Sequence, residues 1–116
     1  MSTEYHIRLI GSQRRSWRVV RLRSLSADFE PKLVQIAEIR ELDTVYWFDS
    51  EFLPTCRAVI EHAERIRTAD VSDPILLSPD GCVVDGMHRV ARAFLDGLTS
   101  INAVQLLDYP EPDRIS

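Results

Sequence analysis

Apolar residues at Tyr5, Ile7 and Leu9 alternate with polar ones, which predicts a short strand over Tyr5–Ile10. A polar loop, Gly11–Ser16, precedes Trp17–Leu25, whose Val, Leu and Arg content predicts a second strand. Pro31–Leu42 carries Leu33, Ile36, Ala37 and Leu42 near helical spacing, behind a proline suited to a first turn. Thr44–Phe52 gathers Tyr46, Trp47, Phe48 and Phe52. Pro54–Thr68 is the clearest helix: Cys56, Val59, Ile60, Ala63 and Ile66 form an apolar stripe, and Arg57, Glu61 and Arg65 line the opposite side at a spacing that allows pairing. Two β-type runs, Pro74–Ser78 and Cys82–Asp85, flank Pro79-Asp80-Gly81 and predict a hairpin. A second helix is predicted over His88–Asp96, with Val90, Ala91, Phe94 and Leu95 buried and Gly97 ending it. Ile101–Leu107 reads as a last strand and residues 108–116 as an extended tail.

This mixture predicts a single α+β domain over residues 1–116, with 1–16 as an N-terminal strand and loop: a small mixed sheet with packed helices. No apolar run approaches the ~18 residues of a membrane span, and Met1–His6 lacks the basic-then-apolar start of a signal peptide, so cytoplasmic residence is expected. With 45% hydrophobic and 28% charged residues the chain is not of disordered type.

The net charge of −4 argues against coating nucleic acid by charge alone. The charge is uneven, however, running to +4 over residues 1–35 and −8 over the rest. Arg14, Arg15, Arg18, Arg21 and Arg23 beside Trp17 form a basic–aromatic segment. It reads as an edge strand kept soluble by charge, with DNA contact as the weaker alternative. Cys56 and Cys82 are too few for a disulfide framework, and with His6, His62 and His88 scattered, no zinc spacing exists. Cys56 suits a small core filler better than a nucleophile. His62 flanks an apolar stripe, where a histidine is more often structural or solvent-facing than functional. The aromatic cluster suits core packing or a lid, with a wall for a flat ligand as the rival reading.

The most informative stretch is Asp85-Gly86-Met87-His88-Arg89, followed by Arg92. A strand ends, a glycine permits a tight turn, and a helix begins. The first turn of a helix offers free N–H groups and the positive end of the dipole, the physics of an anion site. Gly86 would let a ligand approach the backbone, and His88, Arg89 and Arg92 would add donors for a di- or triphosphate. Asp85 suits an N-cap or a place beside a ligand's metal or hydroxyl. His62 and Arg65 can reach this turn if the preceding helix packs beside it.

The run from Pro74 to Leu98, with the helix and the acidic link Ala69–Pro74 before it, resembles the ParB/sulfiredoxin superfamily, the likeness spanning about Pro54–Leu107. That resemblance implies a small α+β fold binding a nucleotide at the strand–helix turn. Sulfiredoxins carry Gly-Cys-His-Arg there, and Met87 stands in place of the catalytic Cys, so their activity is not implied. The partition proteins carry a Gly-Glu-Arg-Arg type of turn and a long DNA-binding domain downstream, whereas this chain ends soon after its last strand. The free serine kinase branch, with Asp-Gly-His-His-Arg, is the closest in this turn. On that reading Asp85 and His88 would be catalytic. Gly86, Met87, His88, Arg89, Arg92, His62 and Arg65 would bind the phosphates of ATP or CTP with Mg²⁺. A further carboxylate would come from Glu41, Asp43, Asp49 or Glu51. The function expected is nucleotide binding, as a phosphotransferase or NTPase or else as a non-catalytic sensing or protein- or DNA-interaction module.

Overall fold

A computed structural model describes residues 4–116; Met1–Thr3 of the expected N-terminal segment lie outside the described residues. The chain is α+β. Strands β1 (Tyr5–Ile10) and β2 (Gln13–Arg18) form a hairpin, followed by helix α1 (Val19–Leu25), strand β3 (Lys32–Gln35) and two 3-10 turns, Ile36–Glu38 and Arg40–Asp43. Helix α2 (Cys56–Arg67), strands β4 (Ile75–Leu77) and β5 (Val83–Asp85), helix α3 (Met87–Leu95), strand β6 (Ser100–Gln105) and a short β7 (Arg114–Ile115) complete it.

One sheet has the order β1-β2-β7 and the other β3-β6-β4-β5. In the second, β4 and β6 run parallel and the other pairs antiparallel. Side chains alternate across a strand, so this sheet serves two cores. Ile75, Leu77, Val83, Ile101 and Ala103 face Met87, Val90 and Ala93 of α3, together with Ile36 and Ile39. Leu76, Val84, Val104 and Leu106 face Trp17, Val19 and Leu22 on the other side.

Four expectations are corrected. The loop at Gly11–Ser16 is a two-residue turn at Gly11–Ser12, since Ile10 already pairs with Gln13. Trp17–Leu25 is a strand only to Arg18 and then a helix: Val19 and Leu22, three apart, are buried, while Val20 is 50% exposed. Strand alternation would have turned Arg21 and Arg23 toward the core. Pro31–Leu42 supplies β3, because its Leu33 and Val34 lie opposite Asn102 and Ile101 and sheet pairing overrides weak helical spacing. In α3 the buried line is Met87, Val90 and Ala93, whereas Phe94 and Leu95 are 62% and 73% exposed. That helix begins against β4, which sets the rotation. The expected stop is present: Gly97 has φ +76, and the Leu98 amide donates to the Ala93 carbonyl at 3.0 Å.

The tail is tied down. Pro110 O accepts from Trp17 Nε1 at 2.8 Å, and Tyr109 OH, which lies 3.3 Å from His6 Nε2, donates to Asp80 Oδ2 at 3.1 Å. Tyr109 also stacks on Trp17, their ring centroids 4.7 Å apart.

Candidate functional site

β5 delivers the chain to α3 through Gly86, which sits at φ +108 and caps the helix without any side-chain hydrogen bond. Asp85 is therefore not an N-cap. Its carboxylate lies 3.2 Å from Arg23 Nε and 3.6 Å from Arg89 Nη2. A Cβ on Gly86 would come within 2.7 Å of Ile75 Cγ2 and 3.2 Å of Arg89 Cζ. The glycine is thus required by its left-handed backbone and by close packing on β4. Met87 is buried in the α3 core, so its side chain offers nothing to a ligand.

Two of the three expected guanidinium donors are engaged within the fold. Arg89 donates to the carbonyls of Asp73 and Pro74 at 3.1 and 2.6 Å and pairs with Asp73 and Asp85. It fastens the link before β4 to the start of α3. Arg92 pairs with Asp96 at 3.0 Å and donates to the Arg67 carbonyl, tying α3 to the end of α2. Arg65 is exposed on α2.

What α2 and α3 bring together is His62 and His88. His62 Nδ1 and His88 Nε2 are 2.8 Å apart, and the ring centroids are separated by 5.0 Å at 17°. The rings therefore lie nearly in one plane, edge to edge, with one donating its N–H to the lone pair of the other. Trp47 lies flat over both, 4.8 Å from each centroid at 23° and 11°. Phe48 meets His62 edge-on at 5.3 Å. Tyr46, edge-on to Trp47, donates its hydroxyl to the Val83 carbonyl at 3.2 Å. Burial, with the charges of Glu41 and Asp85 nearby, pushes the Tyr46 phenol up to about 12, so it stays protonated as that donor.

Both imidazoles are held neutral. Burial first, then His62, Arg65 and Arg89, push His88 down from 6.5 to about 4, against an opposing pull from Asp85. His62 is lowered by burial and then by Arg65, partly offset by Glu61. Desolvation is thus the main cause at both rings, with Arg65 adding to it at each.

Among the candidate carboxylates, Asp49 accepts from the amides of Glu51 and Phe52, both at 2.8 Å, and so is spent on its own loop. Glu41 has one carboxylate oxygen buried without a hydrogen-bond partner; Asp43 and Glu51 are exposed. A protein-held Mg²⁺ does not fit, since Asp85 is committed to two guanidinium groups and no cluster of three His, Cys, Asp or Glu side chains exists among the described residues.

The basic–aromatic segment is dispersed. Trp17 is 1% exposed in the second core, Arg21 donates to the Glu111 carbonyl at 2.6 Å, and Arg23 reaches Asp73, Asp85 and the Pro74 carbonyl. A cavity of about 500 Å³ lies on that side, bounded by Glu4, Val19, Val20, Arg23 and Asp85. It does not include the histidine pair.

Sequence reasoning missed Asp73 and Arg23 as the partners that hold Asp85 and Arg89 in place. It also missed that Trp47 covers the histidines. The available signal was the line Ala58, His62, Ile66 on α2, which sets a histidine at four-residue steps among small and apolar residues, the pattern of an inward face. No family model, no curated protein and no solved structure matches this chain. No helix among the described residues is long and apolar enough to cross a membrane.

Proposed function

We propose that the opening turn of α3, together with the His62–His88 pair, binds the phosphate groups of a nucleotide such as ATP or CTP. The observation that supports this is the hydrogen-bonded imidazole pair beside a helix start that no side chain caps. Helix dipole and imidazole N–H act together on a phosphate oxygen. Trp47, already flat over the pair, offers a π-surface to a base. The likeness of Asp85–Arg89 to the ParB/sulfiredoxin turn points the same way.

The reading is of binding, with phosphoryl transfer or nucleotide hydrolysis as its catalytic form. In that form His88 would be the group that moves a proton. Arg89 and Arg92 act as positioning residues for the turn rather than as phosphate ligands.

Calorimetric titration of the whole chain with pyrophosphate, ATP and CTP, each with Mg²⁺, tests this. Saturable binding is expected, weakened about 10- to 100-fold in His88→Ala, the range of a hydrogen bond to a charged group. Absence of heat with all three ligands, or equal affinity in that variant, overturns it. Product formation in the same samples separates turnover from binding alone.

A further inference from the structure

α2 is amphipathic yet buries no residue. It rests on the domain through Ala58, His62 and Ile66, which are partly covered, while Val59 is 48% and Ile60 66% exposed. Cys56, expected as a core filler, is instead exposed on the same side together with Ala63, and Phe52 and Leu53 before the helix are 66% and 61% exposed. At 100° per residue, Cys56, Val59, Ile60 and Ala63 span about 100° of the helix surface. A helix of twelve residues is marginal alone in water, so an apolar face this wide on a surface helix calls for a partner.

We infer that a second copy of the chain packs on this face, α2 against α2 antiparallel across a two-fold axis. The arrangement of the face selects that occupant. The stripe is palindromic: reversed about the midpoint of Val59 and Ile60, it sets Cys56 against Ala63 and Val59 against Ile60 of the partner. A two-fold axis perpendicular to the helices brings like flanks together. The flank beyond the stripe carries Arg57 and Glu64, seven residues apart and opposite in sign. In the antiparallel arrangement each Arg57 comes within about 3 Å, measured along the axis, of the level of the partner's Glu64. Both side chains are long enough to bridge that offset. Glu64 meanwhile pairs with Arg67 of its own chain at 2.5 Å, which holds it on this flank. In a parallel pair the two-fold would run along the helices and leave the Arg57–Glu64 flanks on opposite sides of the seam, without this pairing.

Sedimentation of the whole chain between roughly 1 and 500 µM should show a reversible monomer–dimer equilibrium. Ile60→Glu should weaken it on the order of 100-fold, since a carboxylate would be buried at the seam. Arg57→Glu or Glu64→Arg should each weaken it about tenfold, because the dyad repeats the pair, and the double reversal should restore it. These positions are exposed, and circular dichroism of each variant should match the wild type. In a Cys82→Ser background, Ala63→Cys should cross-link between chains through Cys56 under diamide. Cys56 alone should not, lying about 10 Å from its own symmetry mate along the axis. A wild-type monomer at every concentration overturns the inference, as does a dimer indifferent to Ile60→Glu or unrestored by the double reversal. None of these readouts depends on nucleotide.

Discussion

Acidification should loosen the molecule through His88 before it affects most of the surface. In the folded chain this imidazole is pushed from 6.5 to about 4, whereas in the unfolded chain it titrates at its ordinary value. A depressed histidine contributes stability in full above pH 6.5. That contribution falls as pH drops, because the unfolded state takes up the proton first, and the loss is complete once pH passes below about 4. At about 1.36 kcal/mol per pH unit, a fully buried ring would lose over ~3 kcal/mol. His88 is half-buried, and solvent screening reduces this to about 1–2 kcal/mol. His62 adds in the same direction, since it too is lowered. Urea denaturation followed by tryptophan fluorescence from pH 7.5 to 4.5 measures the decline. His88→Gln keeps a hydrogen-bonding side chain but cannot titrate, so its stability should fall less steeply over that window. Parallel curves for the two proteins would refute the argument that desolvation and neighbouring cations hold His88 neutral.

Gly86→Ala should cost about 2–5 kcal/mol in the same assay, from the left-handed backbone and the clash with Ile75 together. Unchanged stability would mean that the turn relaxes freely. Asp85→Ala leaves Arg23 and Arg89 sharing only the more exposed Asp73 carboxylate and should destabilise by about 1–3 kcal/mol; Arg23→Met in the same chain should recover part of that loss, and additive losses would reject the coupling. Trp47→Ala should raise the His88 pKa toward its ordinary value by readmitting water, which imidazole carbon-proton shifts in an NMR titration report; an unmoved midpoint would show that Trp47 does not exclude solvent. Tyr109→Phe removes the hydroxyl shared with Asp80 and His6 and should increase proteolysis of the tail after Leu107; wild-type protection would mean that the Trp17–Pro110 bond suffices.

The second half of the chain was legible because its signals are local and redundant. Thr55 caps α2 by accepting from the Ala58 amide at 3.1 Å, the Pro-Asp-Gly turn sets the β4–β5 hairpin, and Gly97 ends α3. The first half was not, since its elements are settled by distant partners. β3 forms because β6 offers an open edge, and α1 forms because Trp17, Val19 and Leu22 must all meet the face of Leu76 and Val84. The strand-to-helix turn was found by its glycine and its position. The assignment of its arginines was not readable, since Arg89 is claimed by carbonyls at Asp73 and Pro74. The pairing of His62 with His88 could be reached only as a consequence of α2 leading into the hairpin. Expected pairing along Arg57, Glu61 and Arg65 also gave way, and the ion pair formed within α2 is Glu64–Arg67.

The chain's ionic contacts divide into two kinds around α3. Arg89, Arg92, Asp85, Asp73 and Arg23 close on one another or on backbone carbonyls, so their charges are compensated within the fold. The histidine pair is treated differently. It is covered by an indole, kept from protonation first by burial and then by Arg65 nearby, and set beside helix amides that no side chain satisfies. A fold selected for stability alone would place a carboxylate or a capping Ser or Asp there, which would relieve the helix start at once. Keeping glycine at the cap follows from Ile75, but keeping two neutral imidazoles under Trp47 does not follow from any packing need, since an aliphatic pair would fill the same space without the penalty at acid pH. On the proposed reading an incoming anion would satisfy these amides, sit near Arg65 and make the first protonation of the pair favourable instead of costly.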